Sequence, residues 1–279
     1  MYLYGVNLNK SILLAGMLFS VIAQAEDIST WDDWKMRTEL ALDTESSRKP
    51  YYSIETTQPL YRAFDRQNTL LMQFRAAETD RFTERRNVLN FGMGYRRLLA
   101  NNTAMAGLKL FYDTESKYGM SRWSVGGDLS WKAFDLYANQ YTGITDWTQT
   151  SDGGTEKSQS GYDVDFAVQV PFMPWAKLHT MHYQWSRELV SENIIGRKLS
   201  LEGALTLNWT VEVGRHTDNI VANDNFAVLR YRWAGFVREH QNANNNFISS
   251  SAFEMRDMRD YTLERMRRNN LSQVERIEP

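Results

Sequence analysis

The chain has 279 residues, with 32 basic against 34 acidic side chains and no cysteine. A net charge of −2 excludes a strong field for nucleic acid or an anionic surface, and the missing cysteines exclude a disulfide framework. The 9 Trp, 14 Tyr and 13 Phe accompany a mean hydropathy of −0.53, an aromatic load that fits either a soluble β-protein or the interfacial girdles of an outer-membrane barrel.

Lys10, the apolar run 12–22 and the small-x-small ending Ala23-Gln24-Ala25 predict a signal peptide over 1–25, with Glu26 the first mature residue. The run is too short to cross a bilayer as a helix. No other long apolar segment follows, so any crossing falls to strands.

Alternation of period two then recurs along the chain. The first predicted strand covers 34–43, the second 51–58, and the third 69–77 with Leu70, Met72, Phe74 and Ala76 on one face. The fourth, 87–97, opposes Leu89, Phe91, Met93 and Tyr95 to Asn90, Gly92, Gly94 and Arg96. The fifth, 103–113, opposes Leu108, Leu110 and Tyr112 to Lys109, Phe111 and Asp113, and the sixth, 122–132, carries an aromatic near each end. The seventh, 134–141, has no cleanly apolar face. The stretch 161–185 holds the eighth and ninth in one hairpin, with Tyr162, Val164, Phe166, Val168 and Val170 opposite Asp163, Asp165, Ala167 and Gln169. The tenth covers 198–208, with Leu199, Leu201, Leu205 and Leu207 away from Lys198, Ser200 and Glu202. Segments 209–215 and 225–233 complete twelve strands, an even number as single-chain bacterial barrels require.

Connection lengths test this independently. Even-numbered junctions are tight (98–102, 133, 171–175, and nothing between Asn208 and Trp209), while odd-numbered ones are long (114–121, 143–160, 186–197, 217–224). Short periplasmic turns and long outer loops are the habit of transmembrane barrels, and here they put the mature N-terminus in the periplasm. The junction 59–68 is longer than that rule. The fold expected is all-β: a 12-stranded antiparallel barrel over 26–233, with Lys109, Asp163, Asp165 and Glu202 on its polar lumen face and the apolar face toward outer-membrane lipid.

Residues 234–279 form a second piece. After an Asn-rich linker, 253–269 predicts a short charged helix capped by Ser249, Ser250 and Ser251, with Glu264 and Arg268 as an i,i+4 pair. Five Arg and four acidic residues leave no wide apolar stripe, so the segment is either a solvated tail or a plug. As a plug in a polar lumen, Arg256, Asp257, Arg259, Asp260, Glu264, Arg265 and Arg268 would pair with the wall.

Catalytic chemistry has little to stand on. His179 and His182 point to opposite faces of one strand, which is poor geometry for a shared metal. His216 and Asp218 share a face near the outer rim as a potential base and orienter, without a serine placed to complete a triad. No catalytic, metal or cofactor residue is expected.

The segments NVLNFGMGYRRLL (87–99), GLKLFYDTESKYGMSRWSVGGDLSW (107–131), the hairpin 161–185 and MRDMRDYTLERMRRNN (255–270) resemble the β-domain of the inverse autotransporters, the intimin and invasin family. The resemblance spans nearly the whole mature chain, with the motifs in order. It implies a twelve-stranded outer-membrane barrel inserted by the barrel assembly machinery, whose linker passes back up the pore and delivers an adhesive passenger outside the cell. Two departures stand out: no peptidoglycan-binding module lies between Ala25 and Trp34, and the chain ends at Pro279, where a passenger would begin. Residues 271–279 are too few to fold as a domain. The expectation is therefore an outer-membrane translocator that exports or anchors a separate secreted protein with a role in host interaction. The alternatives are a plugged or structural pore and a rim-site hydrolase.

Overall fold

The computed structural model describes residues 31–63, 65–82, 84–233 and 247–279; the predicted signal peptide and the Asn-rich part of the linker lie outside them. A short helix, α1 (Trp31–Met36), leads into β1 (Thr38–Glu45), β2 (Arg48–Arg62), β3 (Asn68–Arg81), β4 (Glu84–Leu99), β5 (Ala104–Glu115), β6 (Ser121–Trp131) and β7 (Phe134–Gly143). The next connection carries β8 (Thr148–Gln149) and β9 (Thr155–Ser158). The chain continues with β10 (Gly161–Val170), β11 (Met173–Trp185), β12 (Ile194–Ala204), β13 (Trp209–Asp218) and β14 (Asp224–Arg232), and ends with β15 (Val274–Ile277).

Twelve of these close into an antiparallel barrel in which each strand pairs with its sequence neighbours, β7 passes directly to β10, and β1 meets β14. The closing register runs from Glu39 opposite Arg232 to Glu45 opposite Phe226. Closure leaves no unpaired edge, the one way a sheet can sit in lipid without orphaned backbone groups. The small sheet β15-β9-β8 stands apart at the long-loop end.

The alternation reads outward for apolar groups and inward for polar ones. Leu108 and Val125 are 69% and 57% exposed, whereas Asp113 and Arg122 are fully buried. A soluble sandwich has the reverse pattern; here the exposed apolar band is the lipid face. Aromatics bound it at both ends. Tyr112 and Trp123 sit 4.9 Å apart near the outer side, and Trp209 and Tyr231 4.9 Å apart near the turns. Trp123 and Trp131 of β6 are separated by roughly 27 Å of strand, about 20 Å along the normal after a tilt of about 40°.

The structure corrects several expected boundaries. Trp34 belongs to α1 rather than to a strand, and β1 begins at Thr38, whose hydroxyl donates to the Trp34 carbonyl at 2.8 Å. Pro59 lies within β2, where a register shift between Pro59 and Tyr61 absorbs its missing N–H; the over-long junction therefore shrinks to 63–67. Residues 205–208, expected in the tenth strand, form the β12–β13 turn, so Leu205 and Leu207 are turn residues. At the outer side β1–β2 and β3–β4 are tight hairpins, and only the other half of the barrel carries long loops. The helix expected over 253–269 does not form. Single turns at Asp260, Tyr261 and Glu264, each donating to the carbonyl three residues back, are its local backbone–backbone bonds among the described residues.

The absence of cysteine makes topology directly readable. Ile220→Cys in the β13–β14 loop and Leu205→Cys in the β12–β13 turn, at native positions 55% and 54% exposed, should label oppositely with a membrane-impermeant maleimide. The former is expected to react on intact cells and the latter only after permeabilisation; the reverse pattern would invert the orientation.

Candidate functional site

The barrel's inner wall and the segment 247–279 form one continuous contact surface. At the turn end, Ser249 N–H donates to the Phe172 carbonyl at 2.8 Å and Phe172 N–H to Ala252 at 2.9 Å, joining the segment to the β10–β11 turn. Arg256 then makes a bidentate pair with Asp135, at 2.8 and 3.1 Å, and donates to the Lys132 and Phe134 carbonyls. Met258 N–H donates to the Asn102 carbonyl at 2.8 Å, and its side chain packs between Leu98 and Met105.

At mid-depth the charges converge. Glu264 accepts from Arg232 at 2.8 Å, and Arg232 also holds Glu39. Arg265 lies 3.4 Å from Glu202. Arg267 reaches Glu212 at 2.7 Å, Glu202 at 3.1 Å and Asp165, while Arg230 of β14 joins Glu212 at 3.2 Å. Met266 fits a trough in β4: a Cβ at Gly94 would meet its sulfur at 2.5 Å, and one at Gly92 would strike the Phe111 ring at 2.3 Å. Glycines on that inward face thus admit the segment and the ring beneath it, with Leu71 completing the cluster.

Above this level Arg268 pairs with Asp113 at 2.8 Å over the face of Phe111, 4.3 Å from the ring centroid. Asn269 N–H donates to the Tyr141 hydroxyl at 2.8 Å, and that hydroxyl donates to Asp163 at 2.6 Å. Leu271 packs on Tyr51 and Val88. The segment then leaves the barrel and pairs as β15 with β9, Val274 opposite Ser158 through Ile277 opposite Thr155. Beyond the rim Arg276 bonds Glu156 at 2.8 Å and also Asp152, while Glu156 takes Arg86 at 2.6 Å. Hydrogen bonds from the Thr150 hydroxyl and Arg276 hold the Asp152 carboxyl well below the usual carboxylate range. Burial pushes the Glu156 carboxyl up, but bonds from Arg86 and Arg276 outweigh it and leave it below its ordinary value. Depressed carboxyls of this kind contribute above the ordinary carboxylate range and lose that contribution as pH falls, so the outer fastening is complete at neutral pH.

The wall also grips main-chain oxygens. Arg96 donates to the carbonyls of Thr262 at 3.1 Å and Glu264 at 2.6 Å, Lys109 to Arg267 at 2.7 Å, Arg122 to Asn269 at 2.6 Å and Asn90 to Asn270 at 2.9 Å. These bonds replace those a helix would have made internally, which is why the expected helix is an extended thread. The Glu264–Arg268 pair expected on that helix is likewise replaced by two separate wall partners.

Of the residues singled out in the sequence, Arg256, Glu264, Arg265 and Arg268 of the segment meet the wall, and Lys109, Asp163, Asp165 and Glu202 of the wall meet the segment. Asp257 and Arg259 instead pair with each other, and Asp260 is exposed at the turn end. Arg267, which reaches three wall acids, was not among the residues singled out in the sequence, because its partners on β10, β12 and β13 are distant along the chain. Arg96 and Asp113 were legible as inward-face residues of their strands, but their partners were not; Asp135 was not legible, since the seventh strand shows no cleanly apolar face. His179 faces inward with Nδ1 3.2 Å from Asp165, and His182 faces outward against Tyr162. His216 lies 3.9 Å from Asp224, whereas Asp218 accepts from Tyr183 at 3.1 Å, so the base-and-orienter pair that the sequence left as a possibility is not formed.

Removing one partner of a buried charge cluster costs on the order of 3 kcal/mol, against about 0.5 kcal/mol or less for an exposed pair. Arg267→Gln should therefore lower the urea midpoint of the refolded protein clearly, and Arg259→Gln hardly at all. Equal shifts would mean that the mid-depth cluster is solvated.

The family model described as "Inverse autotransporter, beta-domain" matches residues 15–270. A membrane protein solved in work on in-meso crystallization aligns with 17% identity and a TM-score of 0.68, over 86% of this chain and 99% of its own; at that identity it shows the fold alone. The NanC porin (11% identity, TM-score 0.48) and the KdgM porin (9%, 0.46) each align over 70% of this chain and 98% of their own. No curated protein matches. With most of its length matched, a closed twelve-stranded barrel and a C-terminal segment lying against the inner wall, the chain belongs to the inverse autotransporter β-domain family.

Proposed function

We propose that this protein is an outer-membrane translocator whose C-terminal segment has passed through its own pore and closes it, and that it exports or surface-anchors a separate secreted polypeptide. The observation that carries this reading is the wall's grip on main-chain carbonyls, from Arg96 near the turns to Arg122 near the rim. A channel that recognises backbone oxygens holds extended polypeptide whatever its side chains, whereas a solute pore selects by a ring of one charge sign. The glycine trough of β4 serves the same end by admitting side chains of varied size.

The reading is non-enzymatic, since the groups it uses recognise charge and extended backbone and break no bond. It takes outer-membrane lipid as the surround and the barrel assembly machinery as the route of insertion, because a ladder closed on itself cannot be assembled strand by strand in lipid. Residues 253–279 act as the plug. The septum between an outer cavity and a smaller inner one is formed at Arg265 and Arg267, which line both.

Two measurements test it. In planar bilayers, deletion of 253–279 should raise single-channel conductance several-fold; an unchanged value would overturn the plug. Deletion of the gene should trap one or a few secreted proteins in the periplasm with the general outer-membrane composition unchanged. Identical surface and secreted proteomes would overturn export and leave a closed pore.

A further inference from the structure

The lipid face of β11 to β14 carries its charge in one place. Alternation turns every acid of these strands, Glu202, Glu212, Asp218 and Asp224, to the inner side of the wall. There Glu202 and Glu212 hold Arg267, Asp218 accepts from Tyr183, and Asp224 accepts from Ser47. Two arginines point the other way. Arg197 of β12 and Arg215 of β13 share the outward face with Leu199 and Val213, and both are exposed.

The register sets Thr217 opposite Arg197 and Leu199 opposite Arg215, so the two arginines are diagonal neighbours, roughly 7 Å apart at Cβ. His182 of β11 stands directly opposite Arg197, and its ring lies 6.0 Å from that of Tyr162. Tyr162 is one residue from the outer end of β10, and Arg197 three from the outer end of β12. The group therefore sits at the level of the outer aromatics, where a cation is tolerated, and not in the middle of the apolar band.

Neither arginine has an acid within 4.0 Å among the described residues. Arg215 Nε donates to Asn225 Oδ1 at 3.0 Å, which orients the guanidinium and leaves both its Nη groups without a protein acceptor there; Arg197 has no protein partner there at all. The outward arginine of β4 differs: Arg85 is neutralised by Glu78 of β3 at 3.3 Å. Two like charges on adjacent strands repel, and the edge of an apolar slab screens them less than water does. Their counter-charge has to come from the lipid side. Towards the middle of the band the same face continues in Leu199 and Val213, 56% and 45% exposed.

We propose that Arg197 and Arg215 form a binding site for the phosphate of an anionic acyl lipid in the leaflet on the long-loop side. Guanidinium N–H groups fork onto phosphate oxygens, His182 offers a further N–H beside them, and Leu199 and Val213 take the acyl chains, which free phosphate lacks. The inference rests on insertion in lipid and is independent of export.

The test is a lipid titration of the purified full chain, read by native mass spectrometry, with dilauroylphosphatidic acid against dilauroylphosphatidylcholine and dilauroylglycerol, which have the same acyl chains. Phosphatidic acid is expected to bind about tenfold more tightly than either, and Arg197→Gln or Arg215→Gln each to weaken it about tenfold, as loss of one charge-assisted hydrogen bond does. Arg85→Gln should leave that affinity unchanged. Excess inorganic phosphate is expected to displace little of the lipid. Equal affinity for the three lipids, or indifference to both substitutions, would overturn the proposal, and full displacement by inorganic phosphate would reduce the site to one for free anions. The two side chains bond nothing in the fold but Asn225, so the variants should keep the barrel; if one does not fold, the comparison of lipids on the native chain still decides.

Discussion

Everything in this molecule follows from the requirement that backbone N–H and C=O groups in an apolar slab be paired within the protein. A sheet meets it only by closing, and β1 against β14 closes this one. Closure turns one face of every strand inward and the other to lipid, so the apolar residues that build the core of a soluble protein are spent on the outside. The interior is left with Asp, Glu, Arg and Lys, which have to find partners there.

Those partners come from neighbouring strands of the wall, as with Arg122 and Asp113 or Arg96 and Asp128, and from the chain's own C-terminal segment. A buried carboxylate or guanidinium is costly alone and tolerable only with its counter-charge and further hydrogen bonds. The structure supplies both: arginines of the thread reach acids of the wall at several depths, and arginines of the wall reach carbonyls of the thread. The exchange is reciprocal, so neither surface is satisfied without the other. Outside the membrane the same logic continues in Arg276, Glu156 and Arg86, where the thread becomes a strand.

The thread's conformation shows how tertiary contacts override local preference. Residues 253–269 have the composition of a charged helix, and in water the i,i+4 pair would favour one. Within the barrel the carbonyls of Thr262, Glu264, Arg267 and Asn269 find side-chain donors on the wall, and Arg256, Arg265, Arg267 and Arg268 find wall acids. The extended path satisfies more groups per residue than a helix of one narrow face. Similarly, the loop between β7 and β10 forms β8 and β9 because β15 arrives beside β9, an event more than a hundred residues away in sequence.

The strand count and the inverted faces were legible in the sequence because they depend on period-two alternation, which is local. The inward placement of Lys109, Asp163, Asp165 and Glu202 came from the same period. Boundaries set by bulges, as at Pro59, or by the turn 205–208 were not legible, since Leu205 and Leu207 continue the period-two alternation of β12 straight into the turn. Which arginine meets which acid and the role of Arg267 were decided only by the closed barrel. Partners there are fixed by height and angle around the wall, and sequence separation carries no information about either.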